Sequence, residues 1–377
     1  MSGAIDRGRG SFELREWADA YATLSAADRE APLELDDLER LAVAAYLVGQ
    51  DADSAEAWSR AHQEALRMDD PARAARCAFW LGFGILMRGE MVRGGGWLAR
   101  AQRVLDDRRL DCAEQGYLLV PVGLQYMGMG DADSARDTFG QIVSLGDRFG
   151  DPDLTTFGRI GFGQALIALG CYADGAAFLD QAMVAVTAGE VSPVVAGITY
   201  CATIGACYDI FDLRRAQEWT AALSDWVGAQ PGLVPYRGQC LVHRAEIRQL
   251  HGEGPEAMEE ARRAGEKLAG HPAAGAAAYE LGELHRLRGD LAAAEAAYRA
   301  ASQWGREPQP GLALLRLAQG QLEAATGAIR RVIADAQDRV SRSKLLAAYV
   351  EIMLAAGDVA SARSGADELA AIAAALD

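Results

Sequence analysis

Residues 289–305 read GDLAAAEAAYRAASQWG, with small side chains at Ala294 and Ala301, a ring at Tyr298 between them and a glycine at the start. Related phrases recur as GDADSARDTFGQIVSLG from Gly130, GEGPEAMEEARRAGEKL from Gly252, GQLEAATGAIRRVIADA from Gly320 and GDVASARSGADELAAIA from Gly357. Gly10, Gly49, Gly89 and Gly170 extend the series, and one gap remains near Phe211, where FDLRRAQEWTAAL supplies a helix without the glycine. The spacing is about 40 residues in the first half and about 31 to 37 in the second, the range of stacked helical hairpins. Between glycines the apolar residues keep helical periodicity, with almost no β-branched alternation. A glycine closes the turn after the first helix, small residues seven apart let the second helix approach closely, and a ring fills the remaining gap. Such a hairpin cannot bury its apolar face alone, so it is repeated until the stack forms a continuous core.

The sequence has 377 residues, half of them hydrophobic, with a formal net charge of −16 and a pI near 4.8. An acidic chain repels phosphate backbones, and its basic runs (Arg262–Arg263, Arg286–Arg288, Arg330–Arg331) are interleaved with acids, so no direct nucleic-acid binding is expected. No run of about 18 uncharged apolar residues occurs, and MSGAIDRGRGSFELREW lacks the apolar core of a signal peptide, so a cytoplasmic chain without membrane contact is expected. Cys77, Cys112, Cys171, Cys201, Cys207 and Cys240 lie in apolar helical patterns without a C-x-x-C pair and read as reduced thiols.

In AAAYELGELHRLRGDLAAAEAAYRAA the pair Leu281–Gly282, then Gly289, Ala294, Tyr298 and Ala301 fall where the tetratricopeptide repeat places its signature residues. RCAFWLGFGILMRGEMVRGGGWLARA repeats this with Leu81–Gly82, Gly89, Gly94, Leu98 and Ala101, so the chain resembles that family over roughly residues 11 to 376. Longer phrases such as PYRGQCLVHRAEIRQLHG and LGELHRLRGDLAAAEAAYRAASQWGREPQPGLALLRLAQG are similar to the helical-repeat effector region of large bacterial LuxR-type transcriptional regulators. The chain departs from that pattern by ending at ADELAAIAAALD without a helix-turn-helix and by lacking a G-x-x-x-x-G-K-[ST] loop, so DNA binding and ATP hydrolysis are not carried over. The resemblance implies an effector-sensing or partner-binding solenoid. Its end lacks a polar capping helix, which leaves either further chain or a packing partner to cover it.

Motifs of catalysis are sparse. His62, His243, His251, His271 and His285 are too dispersed for a compact metal site, and no G-x-S-x-G elbow occurs. His243 and Glu246, three apart on one helix face, can act as an acid–base pair or simply as a polar lining.

If the first helix of each hairpin lines a concave surface, counting back from each glycine places Phe79, Trp80, Phe83 and Met87 there, then Tyr117, Leu124 and Met127, then Phe157 and Gln164, then Cys201 and Tyr208. In the second half the same positions turn polar: His243 and Glu246 on one helix, Tyr279, Glu283 and Arg286 on the next. An apolar wall facing a few polar groups is the usual make-up of a small-molecule pocket. A count wrong by one residue moves the rings into the stack, so channel and core both remain open for them.

The expectation is therefore an all-α, right-handed tetratricopeptide-like solenoid of about nine hairpins over residues 11–377, beginning with an unpaired helix near residues 11 to 23 after a disordered segment 1–10. The expected function is non-catalytic: a regulator-type module that senses an apolar or aromatic small molecule with the sixteen residues named above as its lining, without cofactor or metal. The alternative is a protein-interaction scaffold whose groove takes a peptide or partner helix. A homodimer through the end helix VASARSGADELAAIAAALD is a further possibility.

Overall fold

In the computed structural model, which describes residues 2–376, the described chain is a succession of twenty α-helices in ten antiparallel pairs. The first five pairs are α1 (Ser2–Glu13) with α2 (Trp17–Glu30), α3 (Leu35–Leu47) with α4 (Asp51–Arg67), α5 (Pro71–Met87) with α6 (Met91–Arg108), α7 (Glu114–Met129) with α8 (Ala132–Phe149), and α9 (Pro152–Ala168) with α10 (Tyr172–Thr187). The second five are α11 (Pro193–Asp209) with α12 (Leu213–Gly228), α13 (Arg237–Leu250) with α14 (Gly254–Lys267), α15 (Ala274–Arg288) with α16 (Leu291–Gln303), α17 (Gly311–Ala318) with α18 (Leu322–Asp335), and α19 (Arg339–Ala355) with α20 (Val359–Leu376). The fold is a tetratricopeptide-like helical repeat.

The quoted stretch shows why the hairpins form. Gly289 takes φ +83° and ends α15 in a left-handed turn that a side chain would strain. Ala294, Tyr298 and Ala301 are all fully buried. The Tyr298 ring lies over Gly282, where an added Cβ would come within 2.6 Å of it. At the gap in the glycine series, Phe211 adopts φ +56° itself, so the turn is kept without glycine's freedom.

The start of the chain differs from expectation. Residues 2–13, read as disordered through residue 10, are helical, and Gly10 sits inside α1 rather than in a turn. The expected lone helix of residues 11 to 23 is the end of α1, a turn and the start of α2, which makes the tenth pair. Tertiary contact explains it: Ala4 and Ile5 pack on the buried cluster of Leu24, Leu38 and Leu41. Gly8 lets α1 approach Leu24 closely, and Arg9 donates twice, at 2.8 and 2.7 Å, to the buried carboxylate of Asp37.

The chain divides into two compact units. The first holds residues up to Ala165, Phe178–Tyr200 and Ala221–Arg237; the second holds Leu166–Ala177, Cys201–Thr220 and the residues from Gly238 onward. Within the first unit, the loop after α12 returns to the N-terminal helices. Trp17 donates to Gln230 at 3.0 Å across 213 residues of sequence, Val234 N–H donates to Leu47 C=O at 2.8 Å, and the Tyr236 hydroxyl donates to Val194 C=O at 3.0 Å.

Candidate functional site

In the first unit, α5, α7 and α9 bring together the rings expected on the inner surface, and they are largely spent on one another. Phe79, Phe83, Tyr117 and Phe157 are buried, with neighbouring ring centroids 5.1 to 6.5 Å apart. Trp80 joins this cluster, 6.1 Å from Phe157, yet remains half-buried and open on its other side. Met87 and Leu124 are exposed, and Met127 and Gln164 are half-buried.

Trp80 opens onto a cleft of about 480 Å³ whose other walls are Phe12, Glu13, Asp36, Glu39, Arg40, Val43, Trp58, Arg73 and Arg76. Arg73, Arg76, Asp36 and Glu39 among its walls are paired with groups on other elements. Arg73 donates to both oxygens of Glu39 at 2.7 and 2.8 Å and also meets Asp36, and that bond holds the Asp36 carboxyl below its ordinary range. Arg76 lies 5.1 Å above the Tyr117 ring and donates to Glu114 at 2.9 Å and to Asp151 at 3.0 Å. The Tyr117 hydroxyl donates to the other Asp151 oxygen at 2.9 Å, and burial together with that neighbouring carboxylate keeps it protonated. Arg40 and Arg9 share Asp37.

In the second unit, α11, α13 and α15 gather the polar candidates. His243 Nδ1 lies 3.2 Å from Glu246, and its ring stacks on Tyr208 at 6.3 Å. Burial disfavours the charged imidazole, but hydrogen bonds with Cys201 and Glu246 outweigh it and lift His243 to about 9. Glu283 pairs with Arg286 at 2.6 Å and accepts from the Tyr298 hydroxyl. The Arg306 guanidinium covers the Tyr279 ring at 5.2 Å.

Glu280, one residue from Tyr279, was not anticipated. It is buried, and burial with Glu246 and Glu283 nearby pushes its carboxyl up to about 8. With the Gln249 amide turned to donate, its nitrogen lies 2.6 Å from Glu280. His62 is structural: its Nδ1 sits 2.8 Å from Ala74 C=O while Arg100 donates to Nε2 at 2.8 Å, which assigns the proton to Nδ1. Among the described residues no group of three or more His, Cys, Asp or Glu is placed to hold a metal ion, and no helix is long and apolar enough to cross a membrane.

No family model matches the sequence, and no curated protein matches it. Solved structures do resemble the fold. A Rap protein complexed with competence and sporulation factor aligns over 91% of this chain and 97% of its own, at 14% identity and TM-score 0.64. The apo form of RapI aligns over 90% and 96%, at 10% identity and TM-score 0.53. A human IFIT1 dimer with m7Gppp-AAAA aligns over 95% and 82%, at 12% identity and TM-score 0.51. At these identities the likeness is one of fold.

Proposed function

We propose that the chain is a non-catalytic scaffold whose first unit holds an extended segment of a partner polypeptide in the cleft beside Trp80. The observation that carries this reading is the lining: three rings (Phe12, Trp58, Trp80) set among guanidinium and carboxylate groups already held in fixed orientations by one another. An extended segment presents backbone N–H and C=O groups at regular intervals with side chains between them, and such a lining can meet both. An apolar small molecule would instead have to strip water from six charged side chains without replacing those hydrogen bonds. That cost, together with the burial of Phe79, Phe83, Tyr117 and Phe157 on one another, moves the reading from the small-molecule sensor to the scaffold. The neighbour crystallised with competence and sporulation factor supports partner capture on this fold. In a regulator of the kind the sequence resembles, occupancy of the cleft would be the input signal.

The partner is basic. The walls of the cleft and the groups bonded to them set Glu13, Asp36, Asp37, Glu39, Glu114 and Asp151 against Arg9, Arg40, Arg73 and Arg76, so carboxylates exceed guanidiniums. The net charge of −16 adds an attractive field for cations.

Fluorescence anisotropy with short labelled peptides, each carrying an aromatic residue and differing only in net charge, tests this. The basic peptide binds most tightly, weakens as salt is raised, and loses affinity roughly tenfold or more with Trp80→Ala, a large ring removed from a contact. Binding by none of the peptides, or binding indifferent to Trp80→Ala, refutes the scaffold reading. A compound of a few hundred daltons that co-purifies and is released by Trp80→Ala would return the cleft to small-molecule sensing.

A further inference from the structure

The lining of the cleft beside Trp80 also discriminates among basic groups. Its aromatic side chains come from three different helices, Phe12 from α1, Trp58 from α4 and Trp80 from α5, and each is half-buried. All of them are braced from behind. Phe12 stands edge-on to Trp17 at 5.4 Å, and Trp17 is itself buried and tied to Gln230. Trp58 packs on the buried cluster that includes Leu24 and Leu38. Trp80 stands edge-on to Phe79 at 5.2 Å and tilts against Phe157 at 6.1 Å. Rings held in this way lose little freedom when a ligand settles against them.

We propose that Phe12, Trp58 and Trp80 form an aromatic cage for a quaternary ammonium, carried by the partner polypeptide as the side chain of a trimethylated lysine; this rests on the reading of the cleft as a polypeptide site. Aromatic faces present the negative part of their quadrupole to a cation, and quaternary ammonium groups are well suited to such cages.

The carboxylates decide between this group and an ordinary lysine. Glu39 accepts from Arg73 with both oxygens, at 2.7 and 2.8 Å, and Asp36 accepts from the same guanidinium. A primary ammonium brings three N–H donors. On entering the cleft it must compete with Arg73 for those oxygens or leave donors unmet away from water, and either is costly. Glu13 is exposed, and an ion pair there stays in water and gives a lysine little. A trimethylammonium has no donor to satisfy. Its charge is met by the ring faces and by the surplus of carboxylates over guanidiniums, while its methyl groups bury apolar surface on the same rings.

The test is fluorescence anisotropy with one short labelled peptide made in three forms. One position carries lysine, trimethyllysine, or the neutral isostere with carbon in place of the ammonium nitrogen. Lysine and trimethyllysine share their charge, so the field of a chain of net charge −16 acts on both alike. Trimethyllysine and the isostere share their shape and apolar area. The trimethyllysine form should bind about tenfold more tightly than either of the others. Trp58→Leu should remove most of that preference, and Trp58→Phe should keep it. Lysine or the isostere binding as tightly as trimethyllysine overturns the cage, and the scaffold reading stands if Trp80→Ala still weakens every form. Binding of none of the three overturns both. Choline binding as tightly as the trimethyllysine peptide overturns the polypeptide as the source of the group. Should Trp58→Leu fail to fold, the comparison of the three peptides on the wild-type chain decides alone.

Discussion

Gly282 and Tyr298 give a direct test of how the repeat phrase works. A Cβ added at position 282 would meet the Tyr298 ring at 2.6, 2.7 and 3.1 Å. In the wild-type chain Gly282→Ala must therefore push a fully buried ring, at an overpacking cost of about 1 to 3 kcal/mol. The same substitution gains about 1 kcal/mol of helix propensity in the middle of α15. The two nearly offset or leave a net loss. Tyr298→Ala alone should cost about 3 to 5 kcal/mol, the range for removing a buried ring. Once the ring is gone the obstruction is gone, so Gly282→Ala in that background should stabilise by up to about 1 kcal/mol. The coupling energy of the double-mutant cycle is then the overpacking term itself, about 1 to 3 kcal/mol. Urea unfolding followed by far-UV circular dichroism measures all four proteins, provided the slope with denaturant is unchanged. Hydrogen exchange of α15 and α16 amides checks that the effect is local to that hairpin. Equal effects of Gly282→Ala in both backgrounds would refute the claim that the glycine is there to admit the ring.

Phe211, held at φ +56° and half exposed, should be replaceable by glycine with a gain of up to about 1 kcal/mol, since a left-handed conformation strains an L-residue by about 1 to 2 kcal/mol and glycine gives part of that back in chain entropy; a lower thermal midpoint for Phe211→Gly would count against a strained turn. Glu280 rises from the ordinary 4.5 to about 8 on folding, so folding takes up a proton between those values. Its contribution to stability is present in full below about 4.5 and falls as pH rises to about 8, by up to about 1.4 kcal/mol per pH unit. Glu280→Gln should remove that slope in urea midpoints measured from pH 5 to 8, and a variant with the wild-type slope would show that Glu280 is ionised in the fold.

The repeat was legible because its two requirements are local. Gly49, Gly89, Gly130, Gly170, Gly252, Gly289, Gly320 and Gly357 all have positive φ, as the series of turns required, and the small residues and ring of the quoted phrase are fully buried. Helix α1 was not legible, because SGAIDRGRGSFE has three glycines and little local helical preference. What holds it is Asp37, 28 residues further on. The return of the loop at Gln230 to Trp17 was hidden for the same reason: a contact across 213 residues leaves no period in the sequence.

The candidate cleft was legible in the sequence only at α5. Counting back from the glycines reached Trp80 but not the walls from α1, α3 and α4, and because each residue turns the helix by about 100°, adjacent Phe79 and Trp80 differ in fate: one is sealed in the core and the other opens to the cleft. The charged walls left a signal of another kind. In the first unit Glu39 pairs with Arg73, Asp69 with Arg108, Arg76 with Glu114 and Asp111 with Arg148, at separations of 34, 39, 38 and 37 residues. These are the repeat length, because equivalent positions of successive hairpins lie side by side in a stack. An acid and an arginine one repeat apart are therefore neighbours across the stack, as residues four apart are neighbours along a helix. Read at that spacing, the acids and arginines that seem scattered along this chain become pairs, and the cleft lies where two of those pairs, Glu39 with Arg73 and Arg76 with Glu114, meet on one face of α5.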